Sequence, residues 1–226
     1  YGILQSNAQG EVISFEEKPE NPKSNQASMG IYVFNRDVLF ELLNNNHTDF
    51  GKHIIPGAIE NQRVYSYIFQ GYWEDIGTIR SFFEASLDQT SDRPQFDFFN
   101  PTVFTRPRYL PATRIESAAI DHAVIADGCT IDHAQLRHAV VGIRSILDAG
   151  SCLNRVVMMG ADYYDNTEKR NRPENQGIPI GVGRGTRIDN AIIDKNARIG
   201  RNCILSPEGK AADVDHPLYY IRDGIL

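Results

Sequence analysis

Between Arg114 and Val157, and again between Ile180 and Leu205, an aliphatic side chain returns every five or six residues. The series runs Ile115, Ile120, Ile125, Ile131, Leu136, Val141, Leu147, Leu153, then Ile188, Ile193, Ile199 and Ile204. A helix face repeats about every 3.6 residues and a strand face every second one, so neither accounts for this step. A coil of three short strands does, with each strand sending one aliphatic side chain into a shared interior. Stacked coils then bury a column of Ile, Leu and Val that no single coil buries alone. Asp127-Gly128, Val141-Gly142, Ala149-Gly150 and Ile199-Gly200 fall where the path must turn, positions that suit glycine and short polar residues. The expectation is a parallel β-helix of hexapeptide-like repeats. Short strands of a sandwich are the alternative, but they require no constant step.

A chain of 226 residues has room for one or two domains. Its net charge of −6 and lack of a basic run exclude nucleic acid as the expected main partner. No apolar run reaches membrane-spanning length, so a soluble protein is expected, with no membrane partner. The sequence opens on Tyr1 rather than Met and shows no secretory signal, which reads as a fragment. Cys129, Cys152 and Cys203 all lie in the repeat array and are read as buried free thiols.

Ahead of the repeats the pattern changes. Tyr1 to Pro19 reads as two strands around a turn at Ser6–Gly10, and the second ends in Phe15-Glu16-Glu17-Lys18-Pro19. Pro19 stops pairing and leaves Glu17 and Lys18 at a strand end. A carboxylate there suits sugar hydroxyls and an ammonium suits a phosphate, although for the pair taken alone an exposed turn is the better reading. Ser28 to Phe34 reads as a strongly apolar, buried strand. Asn35 then caps a helix with the stripe Val38, Leu39, Leu42 and Leu43. Asp49-Phe50-Gly51-Lys52 opens a further helical segment stopped near Pro56, and Val64 to Phe69 alternates as a strand. Strands alternating with helices predict an α/β layer.

Gly71-Tyr72-Trp73-Glu74-Asp75-Ile76-Gly77-Thr78 places two glycines around aromatics and carboxylates, as where a backbone passes close to a ligand. Thr78 caps the helix of Ile79, Phe82, Phe83 and Leu87, and Asp75 suits either that helix dipole or a divalent cation. Ser91 to Thr113, with four prolines and four phenylalanines, reads as an ordered, extended connector that buries its aromatics. Met158 to Pro179 reads as an excursion out of the coils.

Taken together, the stretches Phe15–Pro19, Ser28–Phe34, Asp49–Lys52, Tyr72–Thr78, Met158–Tyr164 and Ile193–Gly200 resemble the ADP-glucose pyrophosphorylase (glucose-1-phosphate adenylyltransferase) family of bacteria and plastids. The resemblance implies a Rossmann-like α/β nucleotidyltransferase part followed by a left-handed parallel β-helix. Its expected divisions are residues 1–90, a connector 91–113, and a regulatory and oligomerisation domain 114–226. It further implies that Gly2, Glu17, Lys18 and Ser28 bind glucose 1-phosphate, with Gly2 permitting close backbone approach. Lys18 and Asp75 are the expected catalytic residues, Asp75 holding Mg²⁺. Lys195 is the expected contact for anionic allosteric effectors. Implied too are ATP as co-substrate, a homotetramer, a role in glycogen or starch synthesis, and a cytoplasmic or, for a plant-like source, plastid location.

One departure is expected. The family's glycine-rich ATP loop and second metal carboxylate are not found, which reads as a C-terminal part lacking the N-terminal ATP-binding region and inactive by itself. Gly181-Val182-Gly183-Arg184-Gly185 imitates a phosphate loop but lacks a strand-to-helix transition, and it reads as solenoid corners. Three rival functions remain: a regulatory subunit without activity, another sugar nucleotidyltransferase, or an acyltransferase using His122, His133 or His138 as base.

Overall fold

The computed structural model describes residues 1–99 and 103–226. Pro101, part of the expected connector, lies outside the described residues. The chain divides into two compact units, Tyr1–Trp73 and Glu74–Leu226.

The first unit is a small α/β layer. Strands β1 (Gly2–Ser6), β2 (Val12–Glu17) and β3 (Gln26–Ala27) form an antiparallel sheet in the order β2-β1-β3. Asn7 closes the β1–β2 turn by accepting, through its side chain, the backbone N–H groups of Gln9 and Glu11. Helix α1 (Arg36–Leu42) buries no residue, whereas α2 (Ile55–Asn61) buries Ile55 and Ala58. Before α2, a single wide turn over Phe50–Ile54 is capped by Asp49, which accepts the Lys52 N–H at 2.8 Å. Pro56 does not stop this segment. It sits in the first turn of α2, where its missing N–H costs nothing.

Two expected strands are absent as strands. Only Gln26 and Ala27 pair with β1, and the apolar run beyond them lies outside any sheet, with Ile31 73% and Val33 95% exposed. Val64 to Phe69 reduces to one bridge, Tyr65 with Glu11. β-Branched and aromatic residues favour a strand only where a neighbouring strand accepts their backbone groups. Among the described residues these runs meet the sheet at their starts, through the Ser28 N–H to the Gly2 carbonyl in one and the Val12 N–H to the Val64 carbonyl and Ser66 N–H to the Gly10 carbonyl in the other.

The second unit opens with α3 (Ile79–Asp88), whose Thr78 and Ser81 form a reciprocal cap. The solenoid follows. Strands β4 (Arg114–Glu116), β5 (Ala119–Ile125), β6 (Thr130–Asp132), β7 (Gln135–Val141), β8 (Ile146–Leu147) and β9 (Cys152–Met158) lead to the excursion that carries α4 (Thr167–Arg170). After it come β10 (Gly181–Val182), β11 (Arg187–Ile193), β12 (Arg198–Ile199) and β13 (Ile204–Leu205). Two parallel five-stranded sheets result, β4-β6-β8-β10-β12 and β5-β7-β9-β11-β13. Ala119 pairs with Gln135, Gln135 with Cys152, and Arg187 with Ile204, so one coil takes sixteen or seventeen residues.

Each seven-residue strand bends at its centre, where His122, His138, Arg155 and Asn190 have φ of 54°, 46°, 52° and 50°. That bend supplies the third side of the coil. The coils therefore turn on left-handed residues that are not all glycine. The three histidines of the acyltransferase alternative, His122, His133 and His138, all occupy such corners.

Ile131, Leu147, Leu153, Val156, Ile188 and Ala191 fill the interior and are wholly buried. Three members of the aliphatic series behave differently. Ile115 and Ile120 face inward but lie in the edge strands β4 and β5, so they stay about half exposed (46% and 44%). Ile204 is in register with the outward-facing Arg187 and is 77% exposed, while its neighbour Leu205 pairs with the buried Ile188. A slip of one residue exchanges the two faces.

A second apolar cluster joins α3 to the solenoid wall through Phe83, Leu87, Val157 and Ile225. Arg155 reinforces it by pairing with Glu84 at 2.9 Å and lying over the Phe83 ring. A hairpin of β14 (Val214–His216) and β15 (Tyr219–Ile221) precedes Leu226, which exchanges backbone hydrogen bonds with Asn190 and Ile192 and so extends the sheet beside β11. Of the cysteines, Cys129 is buried and burial pushes its thiol pKa up, whereas Cys152 and Cys203 are only partly covered; all three are free. The connector aromatics also differ from expectation, with Phe99 and Phe104 80% and 95% exposed.

Candidate functional site

The three short strands of the first unit bring four predicted residues together. Gly2 on β1 is opposite Glu17 at the end of β2, and the Ser28 N–H donates to the Gly2 carbonyl at 2.8 Å just beyond β3. Lys18 follows Glu17 and donates its N–H to the Tyr1 carbonyl at 3.0 Å. Its φ of 48° is uncommon for a residue with a side chain. Such a conformation turns the chain abruptly between Glu17 and Pro19, and strain of this kind collects at binding sites.

Close packing explains two glycines here. A Cβ on Gly2 would meet the Phe15 ring and stand 3.0 Å from Glu17 Oε2, and a Cβ on Gly51 would collide with the same carboxylate. The Glu17 side chain thus lies across two bare backbones. The Ser28 hydroxyl is placed by the Gly30 N–H, which donates to it at 3.1 Å, and by the Tyr32 hydroxyl at 3.2 Å. Tyr32 belongs to a ring cluster with Phe34 and Phe50, with centroids 6.0 to 6.4 Å apart. Gly51, Tyr32 and Phe50 were not singled out from sequence. Asp49–Lys52 was visible as a motif, but its role depends on a fold that carries Gly51 to a carboxylate more than thirty residues earlier.

Asp75 falls in the second unit, exposed, with one oxygen accepting the Gly77 N–H at 3.0 Å. Among the described residues no group of three His, Cys, Asp or Glu side chains is gathered to hold a metal ion. A single exposed carboxylate is compatible with Mg²⁺, which keeps much of its shell for water and phosphate oxygens.

Lys195 occupies a solenoid corner, where its ammonium reaches Asp162 at 2.9 Å. Asn196 holds the other oxygen of that carboxylate at 2.9 Å. The Lys195 hydrogen bond, then that of Asn196, keeps the Asp162 carboxyl below its ordinary range. Nearby, the Asp165 side chain is covered and grips the Arg198 guanidinium through both oxygens at 3.0 Å. That bond, with the Ile180 N–H, lowers the Asp165 pKa to about 2. This pair ties the excursion to the coil above it.

Gly181–Gly185 lies across β10 and the following corner, as expected for coil structure. A shallow groove of about 420 Å³ opens on the outer face of β5, β7, β9 and β11, lined by Asp121, Arg137, Asn154 and Arg187 among others. It includes none of the predicted site residues. No described helix is long and apolar enough to cross a membrane.

Residues 1–92 match the nucleotidyl transferase family, and residues 108–226 match the GLGC left-handed parallel beta-helix domain. The solenoid is therefore left-handed. Glucose-1-phosphate adenylyltransferase large subunit 1, chloroplastic/amyloplastic, of Zea mays is 39% identical over 254 residues, an alignment that covers all of this chain and 49% of that protein. The chain spans about half the length of this curated relative. One expectation is corrected. A nucleotidyltransferase domain is represented at residues 1–92, so the description of a C-terminal part lacking the N-terminal ATP-binding region does not stand.

Proposed function

We propose that this chain, which belongs to the ADP-glucose pyrophosphorylase (GLGC) family, acts in adenylyl transfer from ATP to glucose 1-phosphate, giving ADP-glucose and pyrophosphate for glycogen or starch synthesis. The observation that carries this reading is the convergence of Gly2, Glu17, Lys18 and Ser28 at adjoining strand ends of one sheet.

Each residue suits a part of the sugar phosphate. The Glu17 carboxylate accepts hydrogen bonds from glucose hydroxyls, and the Ser28 hydroxyl, fixed by Gly30 and Tyr32, both donates and accepts. Gly2 and Gly51 leave space that a side chain would fill. Lys18, exposed at the turn, meets the phosphate as a compact point charge. Holding that phosphate steady fixes the nucleophilic oxygen for attack on the α-phosphorus of ATP, with pyrophosphate as the leaving group. Asp75 is the residue that would hold Mg²⁺, which when bound supplies charge neutralisation at the phosphates. Lys195 is assigned to anionic effectors, and the β-helix to assembly into a homotetramer. A plastid or cytoplasmic location accompanies the reading.

The test is steady-state kinetics of the enzyme carrying Lys18→Ala. The KM for glucose 1-phosphate should rise roughly 10- to 100-fold, the worth of one charged hydrogen bond, with the KM for ATP little changed. Small and equal changes in both constants would remove Lys18 from the sugar-phosphate site.

A further inference from the structure

The corner that carries Lys195 already holds an anion, and the anion is the protein's own. Asp162 leaves the coil at the start of the excursion and returns its carboxylate to Lys195 Nζ and Asn196 Nδ2, both at 2.9 Å. The Asp162 N–H donates to Asn196 Oδ1, also at 2.9 Å, and the Asn196 N–H donates to the Gly160 carbonyl at 3.0 Å. Asn196 is held at φ 62° as a corner residue, so its amide is fixed by the coil itself. Below it, Arg144 donates to the Ala161 carbonyl at 3.0 Å and adds positive charge.

Two aspartates of the excursion are thus paired in different ways. Asp165 and Arg198 are almost sealed, with side chains 2% and 12% exposed, and form a permanent tie. Asp162 and Lys195 are each 53% exposed, so solvent anions reach the ammonium. The backbone bond between Asp162 and Asn196 does not involve the carboxylate, so rotation of one side chain is enough to free both donors.

We propose that Asp162 is a built-in competitor at the effector site: an anionic effector binds by displacing the Asp162 carboxylate from Lys195 and Asn196. The proposal rests on the assignment of Lys195 to anionic effectors. It names the class of ligand more closely, since the freed donors, one ammonium and one amide N–H, suit a phosphate or carboxylate that presents two oxygens. Affinity is set by the difference between that ligand and an internal carboxylate, and rising salt weakens both.

The experiment measures binding of inorganic phosphate to the full-length enzyme by calorimetry at low ionic strength, with thermal melts to confirm that each variant folds. Asp162→Asn keeps the side-chain shape and removes the charge. It should bind phosphate about tenfold more tightly, the scale of one unit charge a few ångströms away in a solvated site. Lys195→Gln should weaken phosphate binding whether or not Asp162 is replaced. If Lys195→Gln weakens binding but Asp162→Asn leaves it unchanged or poorer, Asp162 is no competitor and the Lys195 assignment survives. If Lys195→Gln has no effect, or neither wild type nor Asp162→Asn binds phosphate, the Lys195 assignment fails and the competitor fails with it.

Discussion

The two units bury apolar residues in different ways. In the solenoid every coil finds its partner one coil away, sixteen or seventeen residues along the chain, apart from the excursion. Its core residues reach complete burial in strands only two to seven residues long. The first unit has equally apolar runs, yet Ile31, Val33 and Tyr67 are 73%, 95% and 89% exposed. Hydrophobicity is similar in the two places. What differs is how much of each run has a neighbouring strand to receive it, and a repeat guarantees that neighbour.

The strongest way to break this comparison is to open a cavity in the solenoid. Leu153→Ala removes a wholly buried side chain between two coils and should cost about 3 kcal/mol in denaturant unfolding of the Glu74–Leu226 unit. A loss below 1 kcal/mol would mean that the coils relax into the gap and the interior is not closely packed.

Next in size is the tie between the excursion and the coils. Asp165→Asn should cost about 2 kcal/mol near neutral pH, from a carboxyl pKa displaced from 3.8 to about 2 in the fold. The folded pKa is depressed, so the wild-type advantage is complete above pH 3.8 and fades as pH falls toward 2. Unfolding midpoints of wild type and variant, compared at pH 6 and near pH 2, should converge on acidification. A constant gap would assign the cost to something other than ionisation.

The smallest effect sharpens the other side. Val33→Ser in the first unit should change stability by less than about 0.5 kcal/mol, as for an exposed position without special contacts. A destabilisation comparable with Leu153→Ala would show that Val33 is covered in the protein in solution.

Legibility in the sequence follows the same division. The aliphatic step gave the coil and most of its core, because local spacing determines which residues face inward. It misplaced Ile204 by one position, since spacing counts residues while register decides faces. In the residues themselves the candidate site was readable only as separate motifs, Glu17-Lys18 and Ser28, and it was the family resemblance that put them on one ligand. Nothing local says that Gly51 comes to the Glu17 carboxylate, or that Tyr32 steadies Ser28. Asp162 was likewise part of a recognised stretch, yet its contact with Lys195 spans thirty-three residues and exists only because coils stack.

Stacking also governs what the excursion can become. Cys152 and Arg187 are paired directly although thirty-five residues separate them, about twice the usual interval. The intervening segment therefore lengthens the polypeptide without adding height to the column. Residues added to or taken from the excursion would leave the storeys above and below in alignment, provided that the Asp165–Arg198 fastening remains.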